Sequence, residues 1–228
     1  MFGIRYVKSS PSHYLLQYKD GKVVREGTGL AFFYFAPAST LVSVPLNAVD
    51  VPFMFEETTR DFQAVTLQGQ VGYRIAQPKT LAEQQNFVLL PNGAYSSEDP
   101  ERLSVRVLNA VKAQFRALLQ EADLRSVLHG TEQLSKTARQ GLGAAPSLTA
   151  LGIEVVDLAL LAVKPTPETT RALEAPVREE ILKQADDATY ARRNAAIAQE
   201  QMIKESELRS ELVIEQKKRQ VRETEVED

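Results

Sequence analysis

The last quarter of the chain, residues 166–228, constrains the fold most, because it contains no glycine and is rich in charged residues and alanine. Thr166 can cap a helix, Pro167 suits the first helical position, and Glu168 favours the positive end of the helix dipole. At about 1.5 Å per residue, one helix of this length would reach on the order of 90 Å, far beyond ordinary globular helices. Pro176 predicts a kink or a restart early in this helix.

Apolar and small residues recur along the predicted helix at a mean spacing of roughly 3.5 residues, the period of a coiled-coil seam. The residues of this expected oligomerisation seam are Ile181, Ala188, Ala191, Ala195, Ala198, Met202 and Leu212. The seam calls for partner helices, most simply copies of the same chain, and its many alanines favour a side-by-side array over a tight zipper. A single solvated helix held by ion pairs such as Glu200 with Lys204 is the alternative.

The residues before this helix predict a head, whose first half, residues 1–78, is rich in strands. Residues 14–18 and 22–25 flank Asp20-Gly21, a two-residue turn signal, and so predict a hairpin. Further strands are predicted at residues 40–44 and 48–55. Residues 62–75 alternate between apolar and polar, which is typical of a long half-buried strand or a hairpin. Gly69 and Gly72 there indicate a bulge or a close backbone approach, and Asp61 indicates turn chemistry.

An aromatic run at residues 30–35, Leu-Ala-Phe-Phe-Tyr-Phe, is the most hydrophobic segment of the chain. It has two interpretations: a buried strand that supplies core, or a surface patch that enters a bilayer interface, where aromatic residues are favoured. On the second interpretation the expected membrane contacts are Leu30, Phe32, Phe33 and Phe35.

The second half of the head, residues 79–165, changes to a helical period. Apolar residues between Leu103 and Leu119 predict an amphipathic helix that starts near Asp99. Shorter helices or turns are predicted at residues 123–128, 131–143 and 146–150, and a strand at residues 153–163. Strands first, then helices and a final strand, predict an α+β fold with a mostly antiparallel sheet packed against helices.

Composition excludes several classes of function. The net charge of −3 is nearly neutral and no basic patch interleaves with aromatic residues, so we expect no nucleic-acid partner. The absence of cysteine excludes disulfides, thiolate metal sites and cysteine nucleophiles. The sequence contains no signal peptide and no apolar run of the roughly 18 to 20 residues that a membrane-spanning helix requires.

A search for catalytic chemistry finds no constellation. His13 and His129 lack the carboxylate spacing of a metal site, and Gly27-Thr28-Gly29 lacks both the third glycine and the lysine of a phosphate-binding loop. Acidic pairs such as Glu56-Glu57 are expected on solvated faces. We therefore expect no enzyme activity, no cofactor and no metal; an enzyme of unrecognised type is the least favoured alternative.

An ordered set of motifs resembles the stomatin, prohibitin and flotillin (SPFH, Band 7) superfamily, in its bacterial type. The motifs are Thr59-Arg60-Asp61, Val71-Gly72-Tyr73-Arg74-Ile75, Pro78, Asn109, residues 124–128, Leu151-Gly152-Ile153, Pro165-Thr166-Pro167-Glu168, Ala185-Asp186, Tyr190, Arg193 and Ala196. They cover nearly the whole chain in the family's order of elements.

This resemblance implies a non-enzymatic, self-assembling scaffold: a head that lies on the membrane, and a coiled coil at residues 166–228 through which copies assemble into rings or cages. The implied partners are the same chain, a lipid surface, and a membrane protease or other membrane protein; the implied location is the cytoplasmic face of a membrane. The alternative is a regulatory adaptor that binds and controls a membrane protease. The missing N-terminal anchor and the end at residues 223–228 without a helix stop signal depart from the family pattern, and a truncated C-terminal region would explain the second departure.

Overall fold

The computed structural model describes residues 3–227, with side chains through Arg222, and the chain divides into two compact units. The first unit, the head, ends at Thr166, and the second begins at Pro167 and is a helix. The expectation about the helix end concerns residues 223–228, whose side chains lie outside the described residues.

Strands dominate the first part of the head, and most of its helices follow them. In chain order the elements are β1 (Ile4–Lys8), β2 (His13–Lys19), β3 (Lys22–Thr28), β4 (Ala31–Phe35), a 3₁₀ turn (Ala36–Ala38), β5 (Thr40–Pro45), β6 (Val49–Thr58), β7 (Ala64–Ile75), α1 (Pro78–Gln84), α2 (Asp99–Glu121), α3 (Leu124–His129), α4 (Thr131–Gly143), α5 (Pro146–Thr149), β8 (Ile153–Pro165) and α6 (Pro167–Glu227). This order confirms the predicted α+β class with a long C-terminal helix.

The described strands form antiparallel sheets with the orders β1-β4, β3-β2-β5 and β6-β7-β8. The predicted hairpin is confirmed as β2 and β3, joined by Asp20 and Gly21. Their φ values of 49° and 72° are both left-handed, as a tight two-residue hairpin turn requires. The sequence analysis did not predict β1 or α1.

Strand β7 is the centre of the third sheet, because it pairs with β6 along one edge and with β8 along the other. Its alternating pattern buries Val65, Leu67 and Val71, whereas Gln68 and Gln70 are exposed. Of the two predicted possibilities, the single long strand is confirmed, since Ala64–Ile75 does not fold back on itself and pairs with β6 as a separate strand. Strand β8 joins this sheet from far along the sequence.

Gly69 and Gly72 confirm the predicted bulges and close backbone approach. The register between β7 and β8 shifts between Gln68 and Gly69 and again between Gly72 and Tyr73. At Gly69, a Cβ atom would collide with the carbonyl oxygen of Ala159 and would lie 2.6 Å from the Phe53 ring. Glycine is needed there because two neighbours occupy the space of a side chain.

Helix α2 packs against β6 through one apolar stripe, which confirms the amphipathic prediction. The buried residues of the stripe are Leu103, Val107, Val111, Phe115 and Leu119. The ring of Phe115 lies 5.9 Å from that of Phe53 and 6.1 Å from that of Phe55, measured between centroids. Aromatic pairs at such distances add to the free energy of burial.

An ion pair fixes the same helix to the same strand. The side chain of Glu57 on β6 is only 7% exposed, so the expected solvated face is wrong for this residue. Arg116 donates two hydrogen bonds to its carboxylate, from Nε at 2.9 Å and from Nη2 at 3.1 Å. Because a buried carboxylate needs such partners, Arg116 allows Glu57 to occupy the boundary of the core.

Helix α6 continues through Pro176, so the expected restart near that residue is wrong. A proline removes a single backbone N–H, and the helical turns on both sides keep their own hydrogen bonds.

The turn between β6 and β7 confirms the prediction for Asp61. Thr59 Oγ1 donates to Asp61 Oδ1 at 2.6 Å, and the backbone N–H of Leu124 donates to the same oxygen at 3.1 Å. These donors favour the carboxylate, so the pKa of Asp61 lies below its ordinary value, with the Thr59 hydrogen bond as the largest cause. The next residue, Phe62, has a φ of 58°.

Substitution of the two strand glycines should separate a rigid clash from a soft one. We expect Gly69→Ala to lower the free energy of unfolding by about 2–3 kcal/mol, since a carbonyl and a packed ring must move. The nearest atom to a Cβ at Gly72 is Asp50 Oδ1, at 2.8 Å, which is the mobile end of a side chain. Gly72→Ala should therefore lower the free energy of unfolding by less than about 1 kcal/mol. Urea denaturation measures both, and equal losses would contradict the argument.

The Asp61 turn should make stability depend on pH. Because the folded pKa is lowered, the contribution of the carboxylate is complete above the unfolded pKa of about 4 and is lost as the pH falls through the folded value. Removal of the hydroxyl donor in Thr59→Val should raise the pKa of Asp61 toward its ordinary value. Carboxyl ¹³C NMR titration of both proteins measures this shift. An unchanged Asp61 pKa in the variant would show that the hydrogen bond has no such effect.

Candidate functional site

An exposed apolar face lies on the two-stranded sheet of β1 and β4. Ile4 pairs with Phe35 and Tyr6 pairs with Phe33, so these four side chains share one face of the sheet. Their exposed fractions are 69% for Ile4, 55% for Tyr6, 71% for Phe33 and 50% for Phe35. The rings of Tyr6 and Phe33 lie 5.0 Å apart. We call these four residues the aromatic face.

The opposite face of the same two strands belongs to the core. Phe32 packs with Leu15 and Leu41, and Val7 and Tyr34 pack against this cluster. The guanidinium of Arg25 lies 4.7 Å from the centroid of the Phe32 ring, a cation–π distance. Alternate residues of the aromatic run therefore point to the core and to the surface, and entry of the exposed ones into a bilayer interface stays a prediction.

The predicted membrane contacts divide between these two faces. Phe33 and Phe35 are exposed on the aromatic face, whereas Leu30 is half-buried against the core cluster. Phe32 is buried, so its assignment as a lipid contact is corrected. Ile4 and Tyr6 were missed. The strand-forming residues Ile4, Tyr6 and Val7 were the available signal, but a segment this short does not reveal its partner strand.

The predicted seam residues all lie in α6 and are exposed in the single chain. The larger ones, Ile181, Met202 and Leu212, have exposed fractions of 60%, 69% and 59%. Ile181, Ala188, Ala195 and Met202 follow one another at seven-residue intervals. Because seven residues make close to two helical turns, these four side chains lie along one line of the helix.

Ion pairs on α6 follow the spacing expected for its exposed faces. Lys204 Nζ lies 2.9 Å from Glu200 Oε1, as predicted, and Arg178 Nη2 lies 3.4 Å from Glu174 Oε2. Each such exposed pair contributes only about 0.3–0.5 kcal/mol, so they support the helix without explaining its apolar residues.

The two histidines make local contacts. His129 Nδ1 lies 2.8 Å from the carbonyl oxygen of Arg125 in the preceding turn, and His13 Nδ1 lies 3.2 Å from Ser12 Oγ. Among the described residues, no group of histidine and acidic side chains is arranged to hold a metal ion.

An open cavity of about 720 Å³ lies beside the β2–β3 hairpin and α1. Its charged lining residues include Arg25, Glu26, Lys79 and Glu83. Lys79 Nζ donates to Glu26 Oε1 at 2.6 Å, and this hydrogen bond raises the pKa of Lys79. A lysine whose proton is held in this way is a poor general base at neutral pH.

In the described part of the chain, no helix combines the length and the apolar character needed to cross a bilayer.

Comparison with known proteins identifies one family. The model of the SPFH domain / Band 7 family matches residues 7–204, which include nearly all of the head and more than half of α6. A comparison with curated proteins finds no match. SPFH proteins are in general membrane-associated scaffold or regulatory proteins and in general are not enzymes. Because the match covers most of the sequence, the chain belongs to the SPFH / Band 7 family.

Proposed function

We propose that this protein is a non-enzymatic scaffold that lies on a membrane surface and assembles with copies of itself. The observation that carries the proposal is the aromatic face, which exposes Ile4, Tyr6, Phe33 and Phe35 to solvent side by side. Soluble proteins seldom expose a contiguous apolar patch without a binding role.

The chemistry of this face suits a bilayer interface better than a dry protein core. Tyrosine has an apolar ring and a polar hydroxyl, and aromatic residues concentrate at the level of lipid headgroups. Lys8 follows Ile4 and Tyr6 on the same face of the short strand β1 and adds positive charge near the patch. Such residues contribute about 1 kcal/mol each near an anionic lipid surface.

Assembly is proposed to occur through α6. Its exposed apolar residues would be covered by the α6 helices of neighbouring copies, with Ile181, Ala188 and Ala195 on the shared line. Small side chains let helix backbones approach closely, so the alanine-rich middle favours helices packed side by side.

A regulatory adaptor for a membrane protease is the alternative, in which the aromatic face covers an apolar surface of the protease. The two functions differ in what the purified chain binds. Co-purification of a stoichiometric protease, together with no binding to protein-free vesicles, would favour the adaptor.

Vesicle flotation should detect the lipid contact. The double variant Phe33→Ser, Phe35→Ser should bind vesicles of mixed neutral and anionic phospholipid at least tenfold more weakly, since burial of each ring contributes about 1.5–3 kcal/mol. Val105→Ser is the matched control, because Val105 is 55% exposed on α2, away from the aromatic face. Circular dichroism verifies that each variant folds. Equal flotation of the double variant and the wild type would exclude the aromatic face as the lipid contact.

Mass photometry of two variants at adjacent alanines should show whether the α6 seam holds copies together. Ala195→Glu places a charge on the line of Ile181 and Met202, whereas Ala196→Glu places the same charge about 100° around the helix. We expect the first variant to weaken assembly at least about tenfold more than the second, since the seam buries the charge. Glutamate is a good helix former, so α6 itself should persist in both. Identical mass distributions for the two variants would contradict the proposed seam.

A further inference from the structure

Phe62 is an aromatic side chain in an unusual position. It is 88% exposed, at the turn between β6 and β7, and its φ of 58° lies in the left-handed region. That region is strained for residues with a side chain, and a bulky residue there is uncommon. A large apolar side chain that gains no burial and strains its own backbone indicates a contact made outside the single chain.

The turn holds this side chain in a defined place. The N–H of Phe62 donates to the carbonyl of Thr59 at 3.0 Å, and the N–H of Thr59 donates to the carbonyl of Gln63 at 3.0 Å. The contacts of Asp61 with Thr59 and with the N–H of Leu124 tie the turn to the start of α3. The backbone at Phe62 is therefore held in place, so that binding has to order only the side chain of this residue.

An apolar groove of about 290 Å³ lies between α2, α3 and α4. Its apolar lining residues are Leu118, Ala122, Val127 and Leu134. An apolar cavity of about 150 Å³ is known to accept a benzene molecule, so this groove has room for a phenyl ring.

The projection and the groove adjoin each other on one surface. The N–H of Arg60 donates to the carbonyl of Ala122 at 3.0 Å, and Ala122 lines the groove. The Phe62 of the same chain does not fill the groove, since that side chain is almost fully exposed. A projection beside a complementary groove forms a self-complementary patch, which two copies can satisfy at once around a two-fold axis.

Charge supports the same pairing. Arg60, two residues from Phe62, is 63% exposed, and its ion pair with Asp123 is long at 3.9 Å. Glu121 is exposed at the edge of the groove. The exposed cation beside Phe62 and the exposed carboxylate at the edge of the groove are opposite charges on the two halves of the patch. A charge at the rim adds to specificity and to the rate of association.

We propose that the heads of two copies pair through this patch, with Phe62 of each seated in the Leu118–Leu134 groove of the other. This contact lies in the head and is separate from the α6 seam, so it goes beyond the proposed function. It gives each chain a second surface for its own copies. The partner is a second copy of this chain because both halves of the contact are present on one molecule.

The test uses the full-length chain with Ala195→Glu as background, which should leave head pairing as the main association. In that background Phe62→Gly removes the ring and also relieves the left-handed strain. We expect the melting temperature to stay equal or rise, while the dimer dissociation constant by sedimentation equilibrium rises at least about tenfold. Phe62→Trp, which keeps an aromatic ring, should retain pairing. An unchanged dimer constant in the glycine variant would overturn the proposal.

A photoreactive phenylalanine analogue at position 62 provides a second measurement that keeps the ring. In a mixture of ¹⁴N- and ¹⁵N-labelled chains, cross-links between chains should map to residues 118–137. Cross-links that stay within one chain, or that map elsewhere, would overturn the pairing. A loss of vesicle flotation in Phe62→Gly with no change in dimerisation would also overturn it and assign Phe62 to lipid. Failure of Ala195→Glu to weaken assembly concerns the α6 seam alone, and the comparison at Phe62 still decides head pairing.

Discussion

The close approach of β7 and β8 at Gly69 is the constraint on which the rest of the head depends. The carbonyl of Ala159 and the ring of Phe53 occupy the space that a side chain would need. The same Phe53 stacks on Phe55 at 4.9 Å and packs on Phe115 of α2. The absence of a side chain at Gly69 thus helps to set the register of β8, the position of the Phe53–Phe55–Phe115 cluster and the packing of α2, the longest helix of the head. Strand β8 ends at Pro165, directly before α6 begins.

Much of this architecture could be predicted from local signals in the sequence. Asp20-Gly21 specified a turn, the period of α2 specified its buried stripe, and the two strand glycines specified the bulges. Each of these signals acts within a few residues, where backbone sterics and periodicity decide the outcome. The sequence analysis missed the continuity of α6 through Pro176. The low helix propensity of this one proline is outweighed by the stability of the many helical turns on both sides.

The candidate site was less predictable, because it depends on a pairing between segments that are far apart in the sequence. Six consecutive apolar residues at 30–35 contain no alternation, so their sequence does not say which of them face the core. The pairing of β4 with β1 settles this, since Val7 and Phe32 turn inward and Tyr6 and Phe33 then turn outward. The sequence likewise contained no signal for a role of Phe62, because neither the exposure nor the left-handed φ of a single aromatic residue can be predicted from its sequence context.

The proposed lipid contact and the proposed assembly depend on each other energetically. A face of four side chains offers a single head only a modest affinity, because binding first has to offset several kcal/mol of lost translational and rotational freedom. Once copies are held together by α6, each further head meets the membrane at an effective concentration that reaches the millimolar range for short tethers. On the proposed function, many weak contacts would then give firm attachment, and a chain that fails to assemble would leave the surface. The apolar residues of α6 would therefore contribute to membrane attachment without touching lipid.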